Sequence, residues 1–176
     1  MDFALTYPEM VKSLVPVDAV VGGWQFSQDW TRDFGVVVAA GRRGNIAEAK
    51  QLWLGLPLFG PARQQAPVAE RLGAMVDSYS GWLFANADPD MRLQPPAAAQ
   101  LGKIRVPTLI VLGGRDLPDF HGMADKLAKE IPSARKVLIP GAGHMANMEA
   151  PAEFNRIVLE FLTSVGQSPR APPRGY

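Results

Sequence analysis

The chain has 176 residues, enough for one domain with a core, and its 47% hydrophobic and 20% charged residues are typical of a soluble globular protein. A net charge of +1 gives no electrostatic reason to expect nucleic acid or an anionic membrane as a partner. The lack of cysteine excludes disulfides, thiolate metal sites and cysteine nucleophiles, and the presence of only two histidines argues against a histidine-rich metal site.

The amino terminus lacks the basic start and sustained apolar stretch of a secretory signal. No apolar run approaches the roughly 20 residues that span a bilayer, so we expect a cytoplasmic protein without a membrane partner. Residues 2–7 are typical of a helix end that Pro8 stops. Residues 10–17 then predict a buried strand, in which Pro16 is unexpected because proline cannot donate a ladder hydrogen bond.

Residues 24–100 have a different character, with apolar residues at helical spacing between loops. Asn45 with Glu48 predicts a capping box that opens a helix through Leu54. A second predicted helix carries an apolar face with offsets of three and four residues, formed by Val68, Leu72, Met75, Val76, Tyr79, Trp82 and Leu83.

After Pro107 the pattern becomes strand, helix, strand, helix. Residues 108–112 and 137–139 are short apolar runs, and each is followed by apolar residues at helical spacing, over 120–131 and 154–165. This alternation predicts right-handed crossovers and a parallel sheet. The tail, residues 166–176, contains three prolines and two arginines and is predicted to be disordered.

Two chemically useful side chains come after these strands. Asp116 ends the first apolar run, and His144 lies in a glycine-rich turn after the second, 28 positions downstream. In open parallel sheets functional groups collect at the carboxyl ends of the strands, so an aspartate could orient the imidazole as a general base. The alternative is structural, with Asp116 capping the next helix and His144 exposed in a turn.

These segments resemble the C-terminal part of the α/β-hydrolase fold. The run VPTLIVLGGRD, which ends at Asp116, is similar to the segment that bears the triad acid of that family. The run IPGAGHMANMEAP, which contains His144, is similar to the histidine loop, and residues 154–162 resemble the terminal helix. The likeness is closest to the esterase, lactonase and carbon–carbon hydrolase branch.

The resemblance extends to the front of the chain, where residues 2–15 are similar to the helix end and strand that come after the nucleophile elbow. It implies an α/β fold with a partial hydrolase core at 1–23 and 101–165 and a helical cap inserted at 24–100. The N-terminal strands and the elbow would be missing. His144 would be the general base and Asp116 its orienting acid, with no cofactor and no metal. The substrate would be a small hydrophobic or aromatic ester, lactone or related carbonyl compound.

The departure from the family concerns the nucleophile. The elbow motif G-x-S-x-G does not occur, and none of the serines is flanked by glycines two residues away on both sides: Ser13, Ser27, Ser78, Ser80, Ser133, Ser164 and Ser168. The serine or aspartate nucleophile is therefore expected outside these 176 residues. The open alternatives are a non-catalytic truncated fragment, a half of a split hydrolase and direct activation of water by His144.

Other residues have competing interpretations. Asp18, after the first predicted strand, is a rival acid, whereas Asp119 fits a helix first turn and Glu149 a local cap. His121 is expected at the surface or in packing. Four tryptophans are candidate substrate contacts under the cap or, alternatively, parts of its core: Trp24, Trp30, Trp53 and Trp82. Because a parallel sheet is normally covered on both faces, we expect self-association or a complementing N-terminal half.

Overall fold

The computed structural model describes residues 1–89 and 92–167, which contain two strands, nine α-helices and four short 3₁₀ helices. The strands are β1 (Thr108–Gly113) and β2 (Ala134–Ile139). The helices are α1 (Asp2–Thr6), α2 (Gln28–Arg42), α3 (Ile46–Gly55), α4 (Gly60–Arg63), α5 (Ala66–Ser78), α6 (Trp82–Ala85), α7 (Pro118–Glu130), α8 (Ala146–Glu149) and α9 (Pro151–Gln167). Within these two ranges no helix has the length and apolar character needed to cross a membrane.

The two strands are parallel, as predicted, with α7 as their crossover helix. Their register runs from Thr108 opposite Ala134 to Gly113 opposite Ile139. Every residue of β1 is buried, because alternate side chains enter two apolar clusters on opposite faces of the sheet. One cluster contains α7 and the helices of residues 28–85, and the other contains α9. Both faces are thus covered, which explains the unbroken apolar run in β1.

The strand predicted for residues 10–17 is only partly present. It is reduced to two isolated bridges to β1, from Leu14 to Thr108 and from Val17 to Val111. Pro16 accepts a hydrogen bond from the N–H of Val111 but has no N–H to donate in return, so the ladder is interrupted. We refer to residues 14–18 as the edge segment, which lies beside β1 on the side opposite to β2.

Residues 28–85, which we call the helical segment, contain α2 to α6. The predicted capping box is confirmed in one half, because the side chain of Asn45 accepts a hydrogen bond from the N–H of Glu48 at 3.2 Å. The reciprocal half is absent, since the backbone N–H of Asn45 donates to Ala40 and the Glu48 carboxylate accepts from the Asn45 side chain instead. Buried side chains of the segment join Ile110 and Leu112 of β1 in one cluster. The helical segment therefore packs on the same face of the sheet as α7.

The long helix predicted through Leu83 is wrong in its extent. It ends at Ser78, and a separate helix begins at Trp82 after Gly81, whose φ of 77° lies in the left-handed region. That conformation cannot continue a right-handed helix, and a Cβ at Gly81 would lie 2.5 Å from Ile46. As a result Val76 is buried in the core, whereas Trp82 is exposed.

The tail begins later than predicted. Gly166 and Gln167 belong to α9, so the expected disorder is wrong for these two residues. The apolar spacing of α9 continues to Val165, and the prolines that favoured a disordered tail begin only at Pro169. Residues 168–176 lie outside the described part of the chain.

Candidate active site

The two principal site residues predicted from the sequence meet at one edge of the sheet. Asp116 comes after β1 and His144 after β2, and the carboxyl ends of these parallel strands are neighbours. The imidazole Nδ1 of His144 lies 2.9 Å from Oδ2 of Asp116. The carboxylate side chain is fully buried, whereas 19% of the imidazole is exposed. A buried carboxylate thus holds the imidazole at Nδ1, while part of the ring remains accessible to solvent.

The hydrogen bonds of Asp116 determine what the imidazole can do. Its second oxygen, Oδ1, accepts the backbone N–H of Leu117 at 2.7 Å, so both oxygens are fixed. An ionised carboxylate only accepts hydrogen bonds, and Nδ1 of His144 must therefore carry the proton between them. Nε2 of the neutral imidazole is left with a lone pair, which is the arrangement of a general base oriented by an acid.

Glu149 fixes the loop that carries the histidine. Its two carboxylate oxygens accept the backbone N–H groups of Gly143 at 2.8 Å and of Met145 at 3.0 Å, on either side of His144. The expectation of a local cap is confirmed. Because Glu149 is itself buried, these charge-assisted bonds hold the loop in one conformation.

Close backbone packing further limits the movement of this loop. A Cβ on Gly113, at the end of β1, would overlap the carbonyl oxygen of Gly143. A Cβ on Gly143 would lie 2.6 Å from Pro61 of the helical segment. The strand end, the histidine loop and α4 therefore contact one another at positions where only glycine fits.

Two aromatic rings lie close to the imidazole of His144. The ring centroid of Phe120 is 4.4 Å from that of His144, and that of Phe59 is 6.5 Å away. Phe120 in turn makes an edge contact with Trp30, at 6.0 Å between centroids. The imidazole therefore faces an apolar wall supplied by α7 and the helical segment, which limits the access of water on that side.

Asp18, the rival acid, lies in the same place but does not bind the histidine. It ends the edge segment, is 7% exposed, and accepts the N–H of Gly113 at Oδ1 over 2.8 Å. Its Oδ2 is buried and has no hydrogen-bond partner among the described residues. Burial raises the pKa of Asp18 to about 7, opposed by the hydrogen bond from Gly113 and supported by the negative charge of Asp116.

We call the group formed by Asp18, Asp116 and His144 the strand-end cluster. One carboxylate oxygen from each aspartate and one ring nitrogen of the histidine lie within 4.8 Å of one another. Three such donors could in composition hold a cation. The nitrogen that bonds Asp116, however, is Nδ1, and a metal there would have to displace the proton that joins the two side chains. The donor set therefore fits a proton better than a metal ion.

Asp119 is also buried, but it has different surroundings. Its Oδ1 accepts bonds from Nε1 of Trp24 and the N–H of Ser27, and its Oδ2 accepts the Ser27 hydroxyl at 2.6 Å. Burial alone raises its pKa, but the bonds from Ser27 and Trp24 outweigh this effect and lower the pKa below its ordinary value. This group of three, which we call the junction, ties α7 to the start of α2.

A cavity of about 1060 Å³ lies beside the junction, at Trp24. Trp24 and Trp30 line it together with Phe26 and Phe34. The other two candidate tryptophans lie elsewhere: Trp53 packs against Phe59 and other rings inside the helical segment, and Trp82 is 45% exposed on α6. The structure thus brings two of the four predicted substrate contacts to one cavity.

Four of the described serines are engaged away from His144. The hydroxyl of Ser27 donates to Asp119, and those of Ser78, Ser133 and Ser164 donate to backbone carbonyls. His121, the second histidine, lies in the first turn of α7 and is partly buried, in agreement with a packing role.

Sequence reasoning missed how close Asp18 lies to Asp116. The available signal was that both residues end apolar runs, but the order of strands in a sheet cannot be read from the chain. The pairing of the edge segment with β1 brings the two together.

Fold and site together define a class of protein. A sequence profile described as the alpha/beta hydrolase fold matches residues 2–151, so the chain belongs to this family.

A putative 2-succinyl-6-hydroxy-2,4-cyclohexadiene-1-carboxylate synthase of Bacillus subtilis is 29% identical over 174 residues, covering 93% of this chain and 61% of that protein. Human monoacylglycerol lipase ABHD6 is 39% identical over 66 residues, covering 37% of this chain and 19% of the lipase. A 2-hydroxy-6-oxo-6-phenylhexa-2,4-dienoate hydrolase of Burkholderia cepacia is 37% identical over 67 residues, covering 37% of this chain and 23% of that protein. The relatives thus include a lipase, a dienoate hydrolase and a putative synthase.

Solved structures agree with this assignment. MenH from S. aureus superposes with a TM-score of 0.73 at 25% identity, covering 89% of this chain and 60% of that one. A hydrolase from Pseudomonas aeruginosa superposes with a TM-score of 0.68 at 30% identity, covering 91% of this chain and 58% of that one. The chain spans about 60% of the length of these relatives, so its fold is a partial α/β-hydrolase fold.

Proposed function

We propose that this chain supplies the general base and the orienting acid of a hydrolase that acts on an ester, a lactone or a related carbonyl compound. The observation that carries the proposal is the 2.9 Å hydrogen bond between Nδ1 of His144 and Asp116 at the carboxyl ends of two parallel strands. Membership in the hydrolase family supports the same interpretation.

The proposed reaction uses the free nitrogen of His144 twice. Nε2 takes the proton of a nucleophilic hydroxyl as its oxygen attacks the substrate carbonyl, and the imidazolium then gives that proton to the leaving group. A water molecule next attacks the acyl group left on the nucleophile, with Nε2 taking the water proton and returning it to the nucleophile oxygen as the acid product leaves. Asp116 holds the imidazole in the required tautomer and stabilises its positive charge. Because the 176 residues contain no G-x-S-x-G, we assign the nucleophile to a segment outside them.

We propose a hydrophobic or aromatic substrate, with residues 24–100 acting as the cap that selects it. Trp30, which lines the large cavity with Trp24, contacts Phe120, and Phe120 contacts His144. The cavity and the base are thus joined by a continuous row of aromatic rings. Aromatic walls of this kind bind apolar groups, and the charged residues of the lining are Asp2, Asp88 and Arg92. Two relatives are named for apolar or aromatic substrates, a monoacylglycerol and a phenyl-substituted dienoate.

We further propose that a complementing N-terminal half or a second copy of the chain covers the edge segment. Apolar side chains near this edge are exposed, among them Phe3, Met10 and Val20. Such surface next to a sheet edge favours association. If the chain remains monomeric and unfolds cooperatively at all concentrations in light scattering and urea titration, this part of the proposal is wrong.

A second candidate function is a reaction of the synthase type. It is favoured by the match to the Bacillus subtilis protein, which extends over 174 residues and therefore includes the helical segment. An assay of the complemented protein for the product named in that relative would separate this candidate from ester hydrolysis.

The test is hydrolysis of a short-chain p-nitrophenyl ester by the full chain, alone and mixed with an N-terminal half taken from a relative. We expect activity only on mixing, abolished by His144→Ala and retained by His121→Ala, the matched change at the second histidine. Activity of the mixture that survives His144→Ala would contradict the proposal, as would activity of the chain alone that survives it.

A further inference from the structure

Asp18 is held in an unusual backbone conformation at the edge of the candidate active site. Its φ of 42° is the only positive value at a non-glycine residue within the described ranges. Residues other than glycine rarely adopt a positive φ, although aspartate does so more often than most. The conformation is fixed on both sides of the Cα, because the N–H of Asp18 donates to Val111 and its Oδ1 accepts the N–H of Gly113.

The hydrogen bonds of the two carboxyl groups leave one oxygen unmatched. Oδ1 and Oδ2 of Asp116 bind Leu117 and His144, and Oδ1 of Asp18 binds Gly113. Oδ2 of Asp18 receives no bond from the described residues although it is buried. A buried charged oxygen without a donor is costly, and so are two neighbouring carboxylates that both carry a charge. One proton on Oδ2 would remove both penalties, since it makes Asp18 a donor beside an acceptor.

We propose that Asp18 is a positioning residue that holds a proton shared with Asp116, so that the two carboxyl groups present a single negative charge to His144. The shared proton gives Asp116 a third hydrogen bond, in addition to those with Leu117 and His144. Its significance for catalysis rests on the proposed function, but the proton itself does not.

The electrostatic surroundings agree with this assignment. Burial is the largest influence on Asp18 and raises its pKa to about 7, with the charge of Asp116 acting in the same direction. The ionisable groups that bear on Asp18 are Asp116 after β1 and His144 after β2. The proton therefore leaves near neutral pH, and above that pH His144 faces two negative charges instead of one.

The first experiment is a titration of the full chain, labelled with ¹³C at the aspartate carboxyl groups, by NMR between pH 4 and 9. We expect one carboxyl resonance to titrate near pH 7, to be absent in Asp18→Asn and to remain in Asp119→Asn. The latter is a matched control, because Asp119 is equally buried but has donors on both oxygens. Ionisation of Asp18 below pH 5 in the wild-type chain would overturn the proposal without the use of any variant.

The second measurement separates positioning from a merely structural role. The amide introduced by Asp18→Asn can accept from Gly113 and donate permanently to Asp116, whereas the methyl group of Asp18→Ala can do neither. We expect the ¹⁵N resonances of the His144 ring to show an extra step near pH 7 in the wild type and none in Asp18→Asn. Asp18→Ala should shift them even at low pH.

Identical His144 resonances in all three folded proteins would overturn the positioning role. Neither measurement needs enzymatic activity. A failure of ester hydrolysis would therefore count against the proposed function alone.

Discussion

Asp119 and Asp18 are both buried near the candidate site, but they differ in their hydrogen bonds and in the direction in which their pKa is shifted. Asp119 in the junction is 8% exposed and Asp18 in the strand-end cluster is 7% exposed. Asp119 receives three hydrogen bonds, and its pKa is lowered. Asp18 receives one from a backbone N–H, faces another carboxylate, and has a pKa raised to about 7. Burial raises the pKa of both carboxyl groups, but hydrogen-bond donors outweigh this effect at Asp119 and do not outweigh it at Asp18.

The difference also separates structure from chemistry. The junction uses a permanent carboxylate to fasten α7 to the start of α2 through Ser27 and Trp24. In the strand-end cluster the acceptor oxygens outnumber the hydrogen-bond donors beside an accessible imidazole. Shifted pKa values, such as that of Asp18, are common in functional sites. Changes in the two regions should therefore have different consequences, which range from a loss of catalysis to a small change in stability.

The largest effect is expected for Asp116→Asn in the complemented hydrolase. The amide cannot hold Nδ1–H in the same way and favours the wrong tautomer, so kcat should fall on the order of 10⁴-fold. Asp119→Asn should change kcat by less than about threefold, because the junction does not contact His144. Initial rates at saturating ester measure both. Similar losses in the two variants would mean that the regions do not differ in role.

Gly113→Ala should be the most destabilising single change near the site. The new methyl group would overlap the backbone of Gly143 and force the strand end and the histidine loop apart, at a cost of about 3–5 kcal/mol. Gly141→Ala is the matched control in the same loop, since its Cβ would meet nothing within 4 Å. Urea unfolding gives both values, and equal stability of the two variants would refute the close packing.

Asp18→Asn should change how stability depends on pH. The folded-state pKa of Asp18 is raised, so its proton stabilises the fold fully below the ordinary aspartate range and this contribution is lost as pH rises through about 7. Relative to Asp18→Asn, the wild type should lose on the order of 3 kcal/mol between pH 4.5 and 8. Urea unfolding at the two pH values measures the difference. A constant difference would show that Asp18 binds no extra proton when folded.

Asp119→Asn should have the smallest effect, about 1–2 kcal/mol, because the amide retains one acceptor and alters the bond with the Ser27 hydroxyl. Its lowered pKa keeps the wild-type carboxylate charged from pH 5 to 8, so this loss should be independent of pH in that range and shrink only under more acidic conditions. Unfolding followed by tryptophan fluorescence tests both points. A loss of unfolding free energy that grows towards pH 8 would contradict a permanently charged Asp119.

The two regions also differ in how far the sequence could predict them. Asp116 and His144 each come after an apolar run in a β-α-β pattern, and this local information was enough to place them at one edge of a parallel sheet. The role of Asp18 could not be predicted, because it depends on which strand lies beside β1. Pro16 also reduces that strand to two bridges.

The helical segment shows the same limit. The periodicity from Val68 to Leu83 is helical, but it does not reveal that the chain turns at Gly81 in a left-handed conformation. Trp82 therefore lies away from the cavity that Trp24 and Trp30 line, and Trp53 packs against Phe59 inside the helical segment. Local spacing predicts which residues are helical, whereas the cavity depends on how separate helices pack.

The most direct test of the central claim, that Asp116 orients His144 as a base, is the tautomer of this histidine. Long-range ¹H–¹⁵N correlation spectra of the full chain, recorded where the imidazole is neutral, distinguish the two ring nitrogens. We expect the proton on Nδ1, facing Asp116, with Nε2 unprotonated in the wild type and a mixture of tautomers in Asp116→Ala. A proton on Nε2 in the wild-type chain would contradict the account.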